Sequence, residues 1–121
     1  KAETGQFTPP SGGGATTLYL NDSTLTPKAI FFEVTKSGSN VNNSSGFSDG
    51  STSRARYNLH DGAVVDSNRS SSKAILHKKA SGGASVTALE ATVTGFATGE
   101  FSMNFTSSDV SYTVNFTVIG D

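Results

Sequence analysis

Hydrophobic and polar positions alternate along most of this chain. The clearest run is Val110 to Ile119. There Val110, Tyr112, Val114, Phe116 and Val118 share one parity, and Ser111, Thr113, Asn115 and Thr117 the other. A period of two marks a strand with one face buried and one face wet. Glu100 to Phe105 repeats it, with Phe101, Met103 and Phe105 set against Ser102 and Asn104. Arg54 to His60 sets Ala55, Tyr57 and Leu59 inward. Lys28 to Thr35 alternates Ile30, Phe32 and Val34 with Ala29, Phe31 and Glu33, and both sets are apolar enough for a central strand. Pro27 stands at its entrance, where a missing amide costs least.

Shorter strands are expected at Gly5 to Thr8 and Ala15 to Leu20, separated by the turn from Pro9 to Gly14. Lys73 through Lys79 reads as a strand with Ala74 and Leu76, or Ile75 and His77, toward the core. Ser85 to Thr94 fits neither period cleanly, and its Val and Thr content favours strand over helix. Turn signals stand at Asp61-Gly62, Ser81-Gly82-Gly83, Gly95 to Gly99 and Ser107 to Asp109. Ser37 to Ser53 reads as a long polar loop, and Asp66 to Ser72 as a second polar stretch. Connections as long as the first are usually functional or disordered. The sum is about eight strands with turns between them, an all-β, antiparallel β-sandwich of jelly-roll type. At 121 residues the chain has room for one such domain, spanning residues 1–121.

Composition narrows the chemistry. Eight Phe and three Tyr can fill a two-layer core. Ser and Thr make up roughly a quarter of the chain or more, which suits strands and turns. Cysteine is absent, which excludes disulfides, thiolate metal sites and cysteine nucleophiles. Small secreted animal domains more often carry disulfides, so this points toward a microbial or viral source. The net charge of −1 provides no field that would draw nucleic acid or an acidic membrane, and neither is expected as a partner. The longest apolar run, Ala29 to Phe32, is far short of a membrane span. The chain opens at Lys1 without Met or a visible leader, and trimming or excision is the expectation.

Candidate chemistry is sparse. His60 and His77 are the two histidines, and a metal site needs three or four converging ligands. His60 and Asp61 are adjacent, which points them to opposite faces of a strand, and His77 reads as a partly buried strand residue. No Gly-x-Ser-x-Gly elbow is present. A cluster of Asp49, His60 and Asp66 around one cleft would be needed to suggest a hydrolase. Asp61, Asp66 and Asn68 offer oxygens to calcium without the spacing of a calcium loop. Asn-x-Ser/Thr triplets at Asn21, Asn42, Asn68 and Asn115 are what chance gives at this Ser and Thr content. No catalytic, cofactor-binding or metal-ligating residue is assigned, and no enzymatic activity is expected.

Arg54 and Arg56 lie two apart on one strand and point the same way, with Asn58 and His60 beside them. This polar face, with Tyr57 and with Phe47 and Asp49 of the neighbouring loop, is the expected contact surface, since Arg and aromatic residues are typical of interfaces. The candidate interface set is Phe47, Asp49, Arg54, Arg56, Tyr57 and His60.

Several short motifs carry a resemblance. Thr4-Gly5-Gln6-Phe7-Thr8, Leu18-Tyr19-Leu20 and Thr26-Pro27-Lys28-Ala29-Ile30-Phe31-Phe32 follow one another. Gly46 to Gly50, Phe96-x-x-Gly99-x-Phe101 and a closing Ile119-Gly120 come after them. In this order the chain resembles small virion proteins of tailed bacteriophages. The resemblance implies a virion location and a non-enzymatic structural role, first as a capsid decoration or cement subunit. It further implies a homo-oligomer in contact with the major capsid protein or with tail proteins. A glycan-binding module of a tail or fibre is the alternative, with Phe47 as its loop aromatic.

Overall fold

The computed structural model describes residues 1–36 and 42–121. Ten strands follow in order: β1 (Ala2–Phe7), β2 (Gly14–Tyr19), β3 (Pro27–Thr35), β4 (Asn42–Ser48), β5 (Ser53–Asp61), β6 (Val64–Ser70), β7 (Ile75–Ser81), β8 (Ala84–Ala97), β9 (Glu100–Ser107) and β10 (Thr113–Gly120). No helix occurs among the described residues. The strands build two antiparallel sheets, of order β1-β10-β3-β4-β5-β6 and β2-β9-β8-β7. The protein is a β-sandwich, as its alternation implies. The jelly-roll character lies in the first three and last two strands, where β10 returns between β1 and β3 and β9 returns beside β2. Between them β3 to β6 and β7 to β9 run as meanders.

Inward positions of both sheets share one core. Ile30, Phe32 and Val34 of β3 and Val114, Phe116 and Val118 of β10 meet Leu89 and Ala91 of β8 and Phe101, Met103 and Phe105 of β9. Phe101 sits at the centre, fully buried, edge-on to Phe32 at 6.2 Å and to Phe116 at 5.3 Å. Such pairs add to the area that each ring removes from water.

The two strands beyond the expected eight are β4 and β6, in stretches whose polarity suggests loops. In β4 the inward residues are Ser44, Gly46 and Ser48. They are small because β7 packs close. A Cβ on Gly46 would lie 1.7 Å from the carbonyl oxygen of Ala74, so only hydrogen fits there. A strand with no room for apolar side chains leaves no hydrophobic period. Strand β6 is an edge strand and carries polar residues on both faces. Of the Ser37–Ser53 loop expectation, residues 37–41 lie outside the described residues, and 42–48 are strand.

Other boundaries also moved. The last strand begins at Thr113, and Val110 lies in the preceding turn, 55% exposed. The Asp109 carboxylate holds that turn by accepting from the Ser111 backbone N–H at 3.0 Å. Strand β8 is longer than expected and slips register against β9 at Glu90/Ala91 and Val93/Gly95. Bulges place two consecutive residues, Ala88 and Leu89, in the core and so blur the period. The turn between β7 and β8 needs Gly82 and Gly83, both at positive φ (59° and 79°), as two-residue hairpins commonly do.

Candidate binding trench

Register aligns the outward residues of the six-stranded sheet into transverse rows. One row runs Thr4, Thr117, Phe31, Phe47, Arg54 across β1, β10, β3, β4 and β5. The second outward row runs Gln6, Asn115, Glu33, Ser45, Arg56, Arg69 and ends on β6. Between them lies the row Gly5, Phe116, Phe32, Gly46, Ala55, Ser70. Phe116, Phe32 and Ala55 of this middle row are buried, so the row presents backbone outward. Two walls and a backbone floor make a trench perpendicular to the strands. Five strand spacings give it a length of about 24 Å.

The trench comprises two adjoining depressions, of about 650 Å³ over β1, β10 and β3 and about 420 Å³ over β3 to β6, which share Phe31 and Glu33. At the junction the rings of Phe31 and Phe47 pack at 5.3 Å and a tilt of 49°. Phe31 remains 45% exposed, an unusual position for a Phe on a sheet face. The β1 end is lined by Thr, Gln and Asn. The β6 end is cationic. Arg54 Nη1 donates to the carbonyls of Ser53 at 2.8 Å and Ser71 at 3.1 Å, and Arg56 Nε donates to Ser45 Oγ at 3.2 Å. Arg56 stands directly across from Arg69. None of these three arginines has an ion-pair partner among the described residues.

Of the candidate interface residues, Phe47, Arg54 and Arg56 are brought together in the trench walls. Asp49 lies in the β4–β5 turn and is used there. Its carboxylate accepts from the backbone N–H groups of Thr52 at 2.6 Å and Ser51 at 3.0 Å, which hold it below the usual carboxylate range. His60 is on the same outer face but at the far end of β5, opposite Val65. Tyr57 corrects the expectation. Its ring is buried at 5% exposure, because odd positions of β5 face the core. Burial, and then Asp66, which accepts the phenol O–H at 3.0 Å, push Tyr57 up.

The trench also contains residues that sequence reasoning did not select, Phe31 and Arg69. Glu33 two positions on was the available signal for Phe31, since a carboxylate of the same parity marks a wet face. Arg69 had none, because its strand lacks apolar alternation.

The remaining titratable groups do not converge. His60 and Asp66 line one depression at the far end of β5, but Asp49 stands in the turn before that strand, so the triad of Asp49, His60 and Asp66 has no common cleft. Asp66 accepts from Ser85 Oγ at 2.7 Å and from Tyr57, which lower its pKa. Among the described residues no group of three or more His, Asp or Glu could hold a metal ion. His77 is buried deeper than expected, at 1% exposure. Its Nδ1 is 2.7 Å from Ser44 Oγ, its ring is edge-on to Tyr112 at 4.8 Å, and burial pushes its pKa down to about 4. It joins the inner faces of the two sheets and is closed to any ligand. No family model, no curated protein and no solved structure matches this chain.

Proposed function

We propose that the chain is a non-enzymatic subunit of a virion surface that acts by binding, and that the trench binds a glycan. The observation that carries this reading is the alignment of the Phe31–Phe47 pair with polar side chains along one open channel. A sugar ring presents an apolar C–H face and a rim of hydroxyls, and it needs an aromatic surface flanked by donors and acceptors. Phe31 and Phe47 supply the first, and Gln6, Asn115, Thr117 and Glu33 the second. A peptide suits this face less well. The floor's backbone groups are committed to the sheet ladders, and extended peptides usually add at a sheet edge, where unpaired N–H and C=O groups are available. The virion setting rests on the resemblance to tailed-phage proteins.

The test is a glycan array of bacterial surface oligosaccharides, probed with the wild type and with the Phe31→Ala/Phe47→Ala double variant. The wild type is expected to bind a defined subset. The double variant, checked for fold by circular dichroism, is expected to lose about tenfold or more in affinity by removal of the aromatic contacts. A blank array for the wild type overturns the glycan reading.

Capsid decoration through protein contacts is the second reading. Phe beside clustered Arg is also the composition of a protein hot spot. Against it, the large exposed apolar residues are spread out. Tyr19 ends β2 and Val110 lies in a turn, while Phe31, Val65 and Ile119 share the outer face of the six-stranded sheet but stand on three different strands, β3, β6 and β10. Apolar residues distributed in this way do not make the broad apolar patch of an obligate oligomer. Light scattering with and without phage heads decides: a closed oligomer that co-sediments with heads supports decoration, and a monomer that ignores them removes it.

A further inference from the structure

From the charge distribution along the trench we infer that its ligand is an acidic glycan, with a neutral segment over β1 and β10 and a carboxylate-bearing sugar over β5 and β6. This rests on the glycan reading above. Arg56 and Arg69 are paired directly across the β5–β6 ladder, with Arg54 on the opposite wall. Like charges facing each other across strands destabilise a sheet. Here the repulsion is kept, and no acidic side chain within the described residues ion-pairs with it. Four of the six lysines, Lys1, Lys28, Lys73 and Lys79, each have an acidic partner, Asp22, Asp121, Glu90 and Asp109, and the other two, Lys36 and Lys78, lie over the rings of Tyr112 and Tyr57. Three unpaired guanidinium groups on one depression match an incoming carboxylate, which Arg engages through forked, charge-assisted hydrogen bonds.

Polarity along the trench follows from the walls. Glu33 stands at the midpoint, on the wall that leads to Arg56. It repels a second carboxylate at the centre and accepts from sugar hydroxyls instead. The β1 end has amides and hydroxyls only, suited to a neutral ring. The aromatic pair lies between the two ends and supports the rings that join them.

The experiment uses the intact chain and pairs of oligosaccharides that differ in charge alone. Each uronate-containing oligosaccharide of a panel covering several linkages is titrated beside its carboxyl-reduced, neutral form by calorimetry at low and high salt. The acidic member is expected to bind about tenfold more tightly at low salt. That preference shrinks as salt screens the contact. In the Arg54→Gln/Arg56→Gln/Arg69→Gln variant the preference for the acidic member is expected to disappear, the two members binding alike. Equal binding of both forms to the wild type overturns the acidic assignment and leaves the glycan reading standing. Failure of every member to bind overturns both. Binding of a polyglutamate peptide in place of any oligosaccharide also overturns both and assigns the face to an acidic protein segment.

Discussion

The two outer faces of this sandwich obey the same alternation and yet differ in character. On the four-stranded sheet the outward rows join Thr17 with Ser102, Ala15 with Asn104 and Thr92, and, at the end of β2, Tyr19 with Glu100 and Ala97. In the first two rows the side chains are short, and Thr17 and Ser102 bond each other at 3.2 Å. On the six-stranded sheet the outward rows are long side chains, aromatic at the centre and cationic at one end. Both faces are wet, and the first also exposes one large ring, Tyr19, at its β2 edge, but only the second joins in one channel aromatic rings and cations without ion-pair partners among the described residues. A period of two therefore marks which residues meet water without distinguishing a passive face from one shaped to bind. The difference lies in how rows of unlike strands line up.

That comparison can be broken most forcefully from the core that both faces share. Phe101→Ala removes the ring between Phe32 and Phe116 and is expected to cost about 3–5 kcal/mol. Thr17→Ala, on the plain face, should stay within about 0.5 kcal/mol. Urea unfolding of the two variants beside the wild type measures both. If Phe101→Ala cost no more than Thr17→Ala, the two sheets would not share one core.

A smaller effect comes from His77, under the β4 part of the trench floor. The folded protein holds the imidazole neutral, with a pKa near 4, whereas the unfolded chain binds that proton at about 6.5. The unfolded state therefore carries more protons between these values, and stability falls as pH drops through that window, by at most about 3 kcal/mol. The lowered carboxylates Asp49, Asp66 and Asp109 lose their contributions only at more acid pH. Urea midpoints at pH 7, 5.5 and 4.5 are expected to fall for the wild type and to change little for His77→Gln. A wild-type midpoint constant over that range would mean the buried ring protonates without cost.

The smallest effect sharpens the contrast most. Arg56→Gln relieves the repulsion with Arg69 and should stabilise the fold by about 0.2–1 kcal/mol. The same change should weaken binding of an acidic oligosaccharide. Opposite signs in urea unfolding and in calorimetry would mark a residue kept for a ligand. Loss of stability would make Arg56 an ordinary structural residue.

Much of this fold is legible in the chain because its best strands bury large apolar residues at alternate positions. Strands β9 and β10 show their inward rows as Phe101, Met103, Phe105 and Val114, Phe116, Val118. Tyr57 shows its inward direction by parity alone. Strands β4 and β6 are not legible. The interior leaves only a hydrogen's space at Gly46, and β6 at the sheet edge is polar on both sides, so neither carries the hydrophobic signal that marks a strand. The candidate site divides the same way. Phe47, Arg54 and Arg56 were recognisable as an aromatic and two aligned cations. Phe31 was hidden in an apolar run, and Arg69 in a stretch without period.

What the sequence determined by itself is the side of the strand on which each residue of a regular run stands, because successive side chains on an extended backbone alternate by local geometry. What only the tertiary structure decided is which outward residues become neighbours. Phe31, Phe47 and Arg54 come from three strands, and register alone sets them side by side. Register depends on turns, bulges and the fit of one sheet on the other, all of them interactions between distant parts of the chain. A shift of one residue in β4 would turn Phe47 toward the core and remove the trench.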